Sequence, residues 1–120
     1  MNGEQAVESI RKACYALIER IGNESDDGLL PVDRYNELLA EQVRLSFPGI
    51  NGNTTGIPML DAKLGHVIHW IIFDAGIDIR YTGTHENRRG YINYNNFDYE
   101  RIGDGIKKYS FHIRNLATNI

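Results

Sequence analysis

Sulfur chemistry is nearly missing from this sequence, which has one cysteine, Cys14, in 120 residues. A single thiol excludes an intrachain disulfide and a cysteine-based zinc site, and a reducing compartment, the cytoplasm, is the expected location. No run approaches the roughly 20 apolar residues that a membrane helix needs, and the opening MNGEQAVESIRKAC has no secretory-type apolar stretch, so no membrane partner is expected. Net charge is also small, at −3, which argues against the broad attraction by which strongly basic proteins coat nucleic acids. There is no internal repeat, no His-Glu-x-x-His pair and no Gly-Lys-Ser/Thr phosphate loop.

What remains is an ordinary globular composition, 42% apolar and 24% charged, with no linker long enough to separate two cores, so residues 1–120 are read as one domain. Charge is unevenly placed. Residues 1–60 carry five Lys/Arg against nine Asp/Glu, while residues 61–120 carry eight against seven.

Val7, Ile10, Cys14, Leu17 and Ile21 recur every three or four residues, which predicts an amphipathic helix from Glu4 to Ile21, ending at Gly22-Asn23. Leu29-Leu30-Pro31 reads as a short strand stub. Tyr35, Leu38, Leu39 and Val43 predict a second helix over about 33–45, and the Gly- and Asn-rich stretch 46–56 a loop. Thr54 or Thr55 would cap a third helix running unbroken to Ala75 and stopped by Gly76, its apolar face made by Leu60, Leu64, Val67, Ile68, Ile71 and Ala75. Alternation after Gly76 predicts a strand carrying Ile79 and Tyr81. The polar turn GTHENRRG and the returning segment YINYN complete a hairpin. Tyr109, Phe111 and Ile113 alternate with polar residues, so 107–115 is read as one further strand. The expected class is α+β: three helices followed by a small antiparallel sheet.

This order resembles a winged helix over residues 5–95, and LGHVIHWIIFDAGIDIRYTGTHENRRGYINY is similar to the wing region of the N-terminal domains of Mrr-type restriction proteins, which combine a His-Trp in this helix with an aromatic strand after the wing. The resemblance implies that the stub pairs with the hairpin, that the third helix lies in a DNA major groove, and that the hairpin tip reaches along the backbone or minor groove. The resemblance transfers no site by itself; the expected contacts on such a fold are Met59, Lys63 and His66 near a groove and Arg80, His85, Asn87, Arg88 and Arg89 on phosphates. The loop 46–56 is longer than the tight turn of a helix-turn-helix. The third helix offers no Arg, Asn or Gln pair for base edges, so base reading would be poor.

Arg88 and Arg89 suit phosphate because the guanidinium fork donates two bonds and stays charged at any working pH. Read without that partner, they are a solvated tip that keeps a sheet edge soluble. One copy would neutralise few phosphates, so a homodimer would bind double-stranded DNA better. His66 and His69 have i, i+3 spacing but lack further ligands, which favours satisfied histidines over a metal site. Cys14 reads as core. Asp98, Glu100 and Asp104 fit no acid–base pair spacing, and a nuclease built on Asp98 and Asp104 is the weakest reading. The leading expectation is a non-enzymatic DNA-binding protein without cofactor or metal. Its rival is a protein-interaction module, such as a phage or bacterial inhibitor or immunity-type protein, suggested by the acidic N-terminal half and the tyrosine surplus.

Overall fold

A computed structural model describes residues 2–47, 58–84 and 86–118, and the side chains of Pro58, Met59 and Thr118 lie outside the description. The expected caps Thr54 and Thr55, and most of the expected loop, fall outside it as well.

Helix α1 (Gly3–Glu24) opens with a reciprocal cap: Asn2 Oδ1 accepts from the Gln5 N–H at 2.8 Å, and Gln5 Oε1 accepts from the Asn2 N–H at 2.9 Å. All five residues of its predicted stripe are buried. The helix runs past the expected stop at Gly22-Asn23. Ser25 closes it instead, its N–H and Oγ both donating to the Ile21 carbonyl, at 2.9 and 2.6 Å. Gly22 serves packing: a Cβ there would lie 3.3 Å from the Tyr94 hydroxyl.

Strand β1 (Leu29–Pro31) is the expected stub, and α2 (Val32–Ser46) follows directly, burying Tyr35, Leu38 and Gln42. The third helix is not continuous. A short α3 (Pro58–Asp61) is separated from α4 (Leu64–Asp74) by a turn in which the Lys63 N–H donates to the Leu60 carbonyl at 3.0 Å. The turn lets α3 lie against the last helix while α4 packs on α1, with Leu60 and Leu64 both buried.

Strands β2 (Asp78–Thr82) and β3 (Arg89–Asn93) form the predicted hairpin, and the antiparallel sheet has the order β1-β3-β2, with Leu30 opposite Ile92 and Ile79 opposite Ile92 on its other side. Two glycines are dictated by backbone geometry. Gly76, between α4 and β2, has φ +102, and a Cβ there would lie 2.5 Å from the Asn96 carbonyl oxygen. Gly83, at the tip, has φ +93, and a Cβ would lie 2.3 Å from the Asn87 oxygen.

The C-terminal strand expected over 107–115 is a helix, α5 (Glu100–Thr118). The chain is therefore mixed α+β with a three-stranded antiparallel sheet, and its last described element is a helix, not a strand. The three residues taken to share a strand face part company: Ile113 is buried, Tyr109 is half-buried and Phe111 is 73% exposed. The face that is buried follows helical spacing, Ile102, Ile106, Ile113 and Leu116, and packs on α1 and α4. Gly105 permits the close approach of α4, since a Cβ there would meet Ile71 Cγ2 at 3.2 Å, whereas Gly103 faces open space. Gly103→Ala should therefore stabilise the protein by about 0.5–1 kcal/mol, measured by urea denaturation, because alanine fits the helical backbone there and leaves the unfolded chain less freedom to lose.

Candidate nucleic-acid interface

The hairpin carries five of the predicted site residues, four of them described, and the ladder fixes the faces of Arg80 and Arg89. Thr82 is opposite Arg89 and Arg80 opposite Tyr91, so Arg80 and Arg89 share one face of the sheet. Arg88 turns to the other face, its guanidinium carbon 4.0 Å from the centre of the Tyr81 ring. This cation–π contact orients the fork without using up its hydrogen-bond donors. Asn87 sits at the tip, where its N–H donates to the Thr84 carbonyl at 3.1 Å. His85 lies outside the described residues.

Four of the six arginines on the helices differ from those of the hairpin, whereas Arg44 and Arg101 are likewise exposed and make no ion pair among the described residues. Arg11, Arg20, Arg34 and Arg114 are each held by glutamate, namely Glu8, Glu41, Glu24 with Glu37, and Glu4. Pairing with Arg34 holds the Glu24 carboxyl below its ordinary range, and pairing with Arg114 does the same for Glu4. Among the described residues, Arg80, Arg88 and Arg89 make no ion pair, and all three are exposed. A cleft of about 490 Å³ opens beside them, bordered by Ile79, Tyr81, Arg88, Arg89 and the start of α2 at Val32 and Asp33.

The other predicted residues are not joined to this cluster. Lys63 precedes α4 and is exposed. His66 is exposed on the outer face of α4, its ring centre 6.1 Å from that of Trp70. The Met59 backbone belongs to α3. Among the described residues, no hydrogen bond, ion pair or ring contact links the hairpin to Lys63 or His66. It is strand β3 that lies against α2, since a Cβ at Gly90 would meet Val32 Cγ2 at 3.1 Å.

The outer face of α4 is aromatic, a feature only half legible in the sequence. Trp70 stacks on Tyr109 of α5, with centres 5.9 Å apart and planes at 29°, and lies 6.3 Å from the His112 ring. His69 packs on Phe73 at 4.3 Å, and its Nδ1 is 2.9 Å from the Tyr35 hydroxyl. Burial raises the Tyr35 phenol well above its ordinary value, so it stays protonated, and it shares one hydrogen bond with Nδ1 whose direction follows the His69 tautomer. Burial, with the His66 charge adding to it, lowers the His69 pKa from 6.5. As pH falls below about 6.5 the unfolded chain takes up a proton that the folded chain refuses, so stability should fall with it. Urea midpoints at pH 7.5 and 5.5 should show this loss, and His69→Gln should shrink it.

Of the two carboxylates of the nuclease reading, Asp104 is exposed on α5 and its side chain makes no hydrogen bond or ion pair among the described residues, while Asp98 is engaged. Asp98 Oδ1 accepts from the Glu100 N–H at 3.0 Å at the start of α5, and the Asp98 N–H donates to the Ala75 carbonyl at 2.8 Å. Asp74 accepts from Lys108 at 3.1 Å and from Tyr109 at 3.0 Å. Partial burial pushes its pKa up, but these bonds and the Lys108 and Arg101 charges outweigh it and hold the carboxyl below its ordinary range. No group of three His, Cys, Asp or Glu is placed to hold a metal ion among the described residues. Cys14 is buried, and burial pushes its thiol up to about 12. No helix among the described residues is long and apolar enough to cross a membrane. Compared with known proteins, the chain matches no family model, and no curated protein or solved structure shows significant similarity to it.

Proposed function

We propose that this is a winged-helix-like domain that binds duplex nucleic acid through its hairpin, which lays Arg88 and Arg89 on backbone phosphates. The observation that carries this reading is that Arg88 and Arg89 stand adjacent on one hairpin beside an open cleft, exposed and without ion pairs among the described residues; glutamates hold Arg11, Arg20, Arg34 and Arg114, and the unpaired arginines of the helices, Arg44 and Arg101, stand singly. A charge held by a neighbouring carboxylate has little left for phosphate, whereas an unpaired guanidinium beside an open cleft does. The element order, with a stub between the first two helices pairing against the hairpin strand β3, also suits the resemblance.

The aromatic outer face of α4 narrows the proposal. His66 and Trp70, the exposed rings of that face, present no bidentate donor for a base edge, so binding should be governed by phosphate and nearly indifferent to sequence. Fluorescence anisotropy on labelled duplexes at two salt concentrations tests this. Binding that weakens steeply with salt and changes little between unrelated sequences supports the proposal, and no binding at low salt refutes it.

A protein-interaction module is the second reading, favoured by Phe111, 73% exposed, and Leu45, 69% exposed. Two large apolar side chains held in water on helical surfaces suit a partner protein. This reading gains if duplex binding is absent.

A further inference from the structure

The sheet ends at β2. With the order β1-β3-β2, one side of β2 is paired with β3 and the other meets no strand, and all five of its residues are exposed. Among the described residues outside the regular elements, no backbone hydrogen bond reaches Asp78–Thr82. An edge of this kind offers a row of unpaired N–H and C=O groups to any extended chain. Ile79 and Tyr81, 41% and 54% exposed, extend its apolar face to the rim of the sheet, beside the open cleft.

We infer that β2 is a homodimer interface, on which a second copy of this chain adds its own β2 antiparallel and joins the two sheets into one of six strands. The order of side chains selects that occupant. Ile77-Asp78-Ile79-Arg80-Tyr81 places an acid and a base symmetrically about Ile79. In a two-fold antiparallel pair centred there, Ile79 faces Ile79 of the second copy, Asp78 faces Arg80 of the second copy, and Arg80 faces Asp78. Two opposite-charge pairs thus form on one face of the sheet, and an apolar pair forms on the other. Charges on an edge ordinarily repel other strands. Here their sequence does so for most partners and complements a second copy of itself. Arg80 is then engaged within the dimer, leaving Arg88 and Arg89 of each copy outward.

Dimerisation through β2 needs no nucleic acid and is tested without any, so its failure is distinguishable from failure of the wing reading. Sedimentation velocity of the full chain, over concentrations up to a few hundred micromolar, should show a reversible dimer. Asp78→Arg and Arg80→Asp should each weaken it on the order of tenfold or more, since each turns both cross-strand pairs into like-charge pairs. The double variant Asp78→Arg/Arg80→Asp should restore the homodimer. An equimolar mixture of the two single variants should form a heterodimer, because the strand carrying two bases then faces the strand carrying two acids and both cross-strand pairs are again of opposite sign. A wild-type chain that stays monomeric throughout would overturn the inference. So would a dimer indifferent to both single reversals, or single variants that neither the double change nor mixing rescues.

Discussion

Replacing Arg88 and Arg89 together by alanine should weaken binding to a duplex on the order of tenfold or more at low salt, and should lower the slope of log affinity against log salt by about 2 per protomer. The slope is the sharper measurement. It counts the counterions released when cations meet phosphates, and a general loss of folding would not reduce it in whole steps. Arg34→Ala is the matched control: its guanidinium is held by Glu24 at 2.7 Å and Glu37 at 2.9 Å on the helical body, so the slope should be unchanged. Tyr81→Ala should fall between the two, because it removes the ring beneath Arg88 and leaves the charge. An unaltered slope in the double arginine variant would remove the hairpin from the binding surface.

Ile106→Ala should destabilise the protein by about 3–4 kcal/mol, measured as a lower urea midpoint with an unchanged dependence on denaturant. Ile106 is almost wholly buried, on the face of α5 that meets α1 and α4, and beside it Gly105 is packed too closely on Ile71 for the helices to slide inward and fill the space. A domain of this size is held by only about 5–15 kcal/mol, so the loss is a large share of the total. Phe111→Ala, by contrast, removes a larger side chain and should change stability little, because Phe111 stands in water. The pair distinguishes helix from strand, since in a strand Phe111 would share a face with the buried Ile113.

Those residues also show why part of the fold escaped the sequence. Tyr109 and Ile113 are four apart, which satisfies a helix and an alternating strand equally, and only Phe111 between them decides. Nothing local says that Phe111 is exposed. Gly103 and Gly105 added to the misreading, because a glycine inside a helix, whether packed closely like Gly105 or facing open space like Gly103, is written like one that breaks a helix. Where pattern and punctuation agreed, the sequence was legible: the stripe of α1, the stub at Leu29, and alternation between Gly76 and Gly83 followed by a return at Gly90. The break between α3 and α4 had no such punctuation, since Ala62 and Lys63 are ordinary helix residues.

The site was legible as composition but not as geometry. That Arg88 and Arg89 sit on a hairpin tip could be read from the chain, but that they turn to opposite faces, with Arg88 over Tyr81, comes from the ladder register. Contacts between distant positions, such as Tyr35 with His69, leave no periodic trace. The expected proximity of the tip to Lys63 and His66 rested on resemblance, and the helix that the hairpin strand β3 meets at Gly90 is α2.

Cys14 has a practical side. A sulfur so enclosed, and so reluctant to lose its proton, ignores maleimide dyes while the chain is folded. A cysteine introduced at an exposed position such as Thr84 would then be the one handle that reacts, and a fluorophore there could report how the tip moves when a ligand arrives, without first mutating the native thiol.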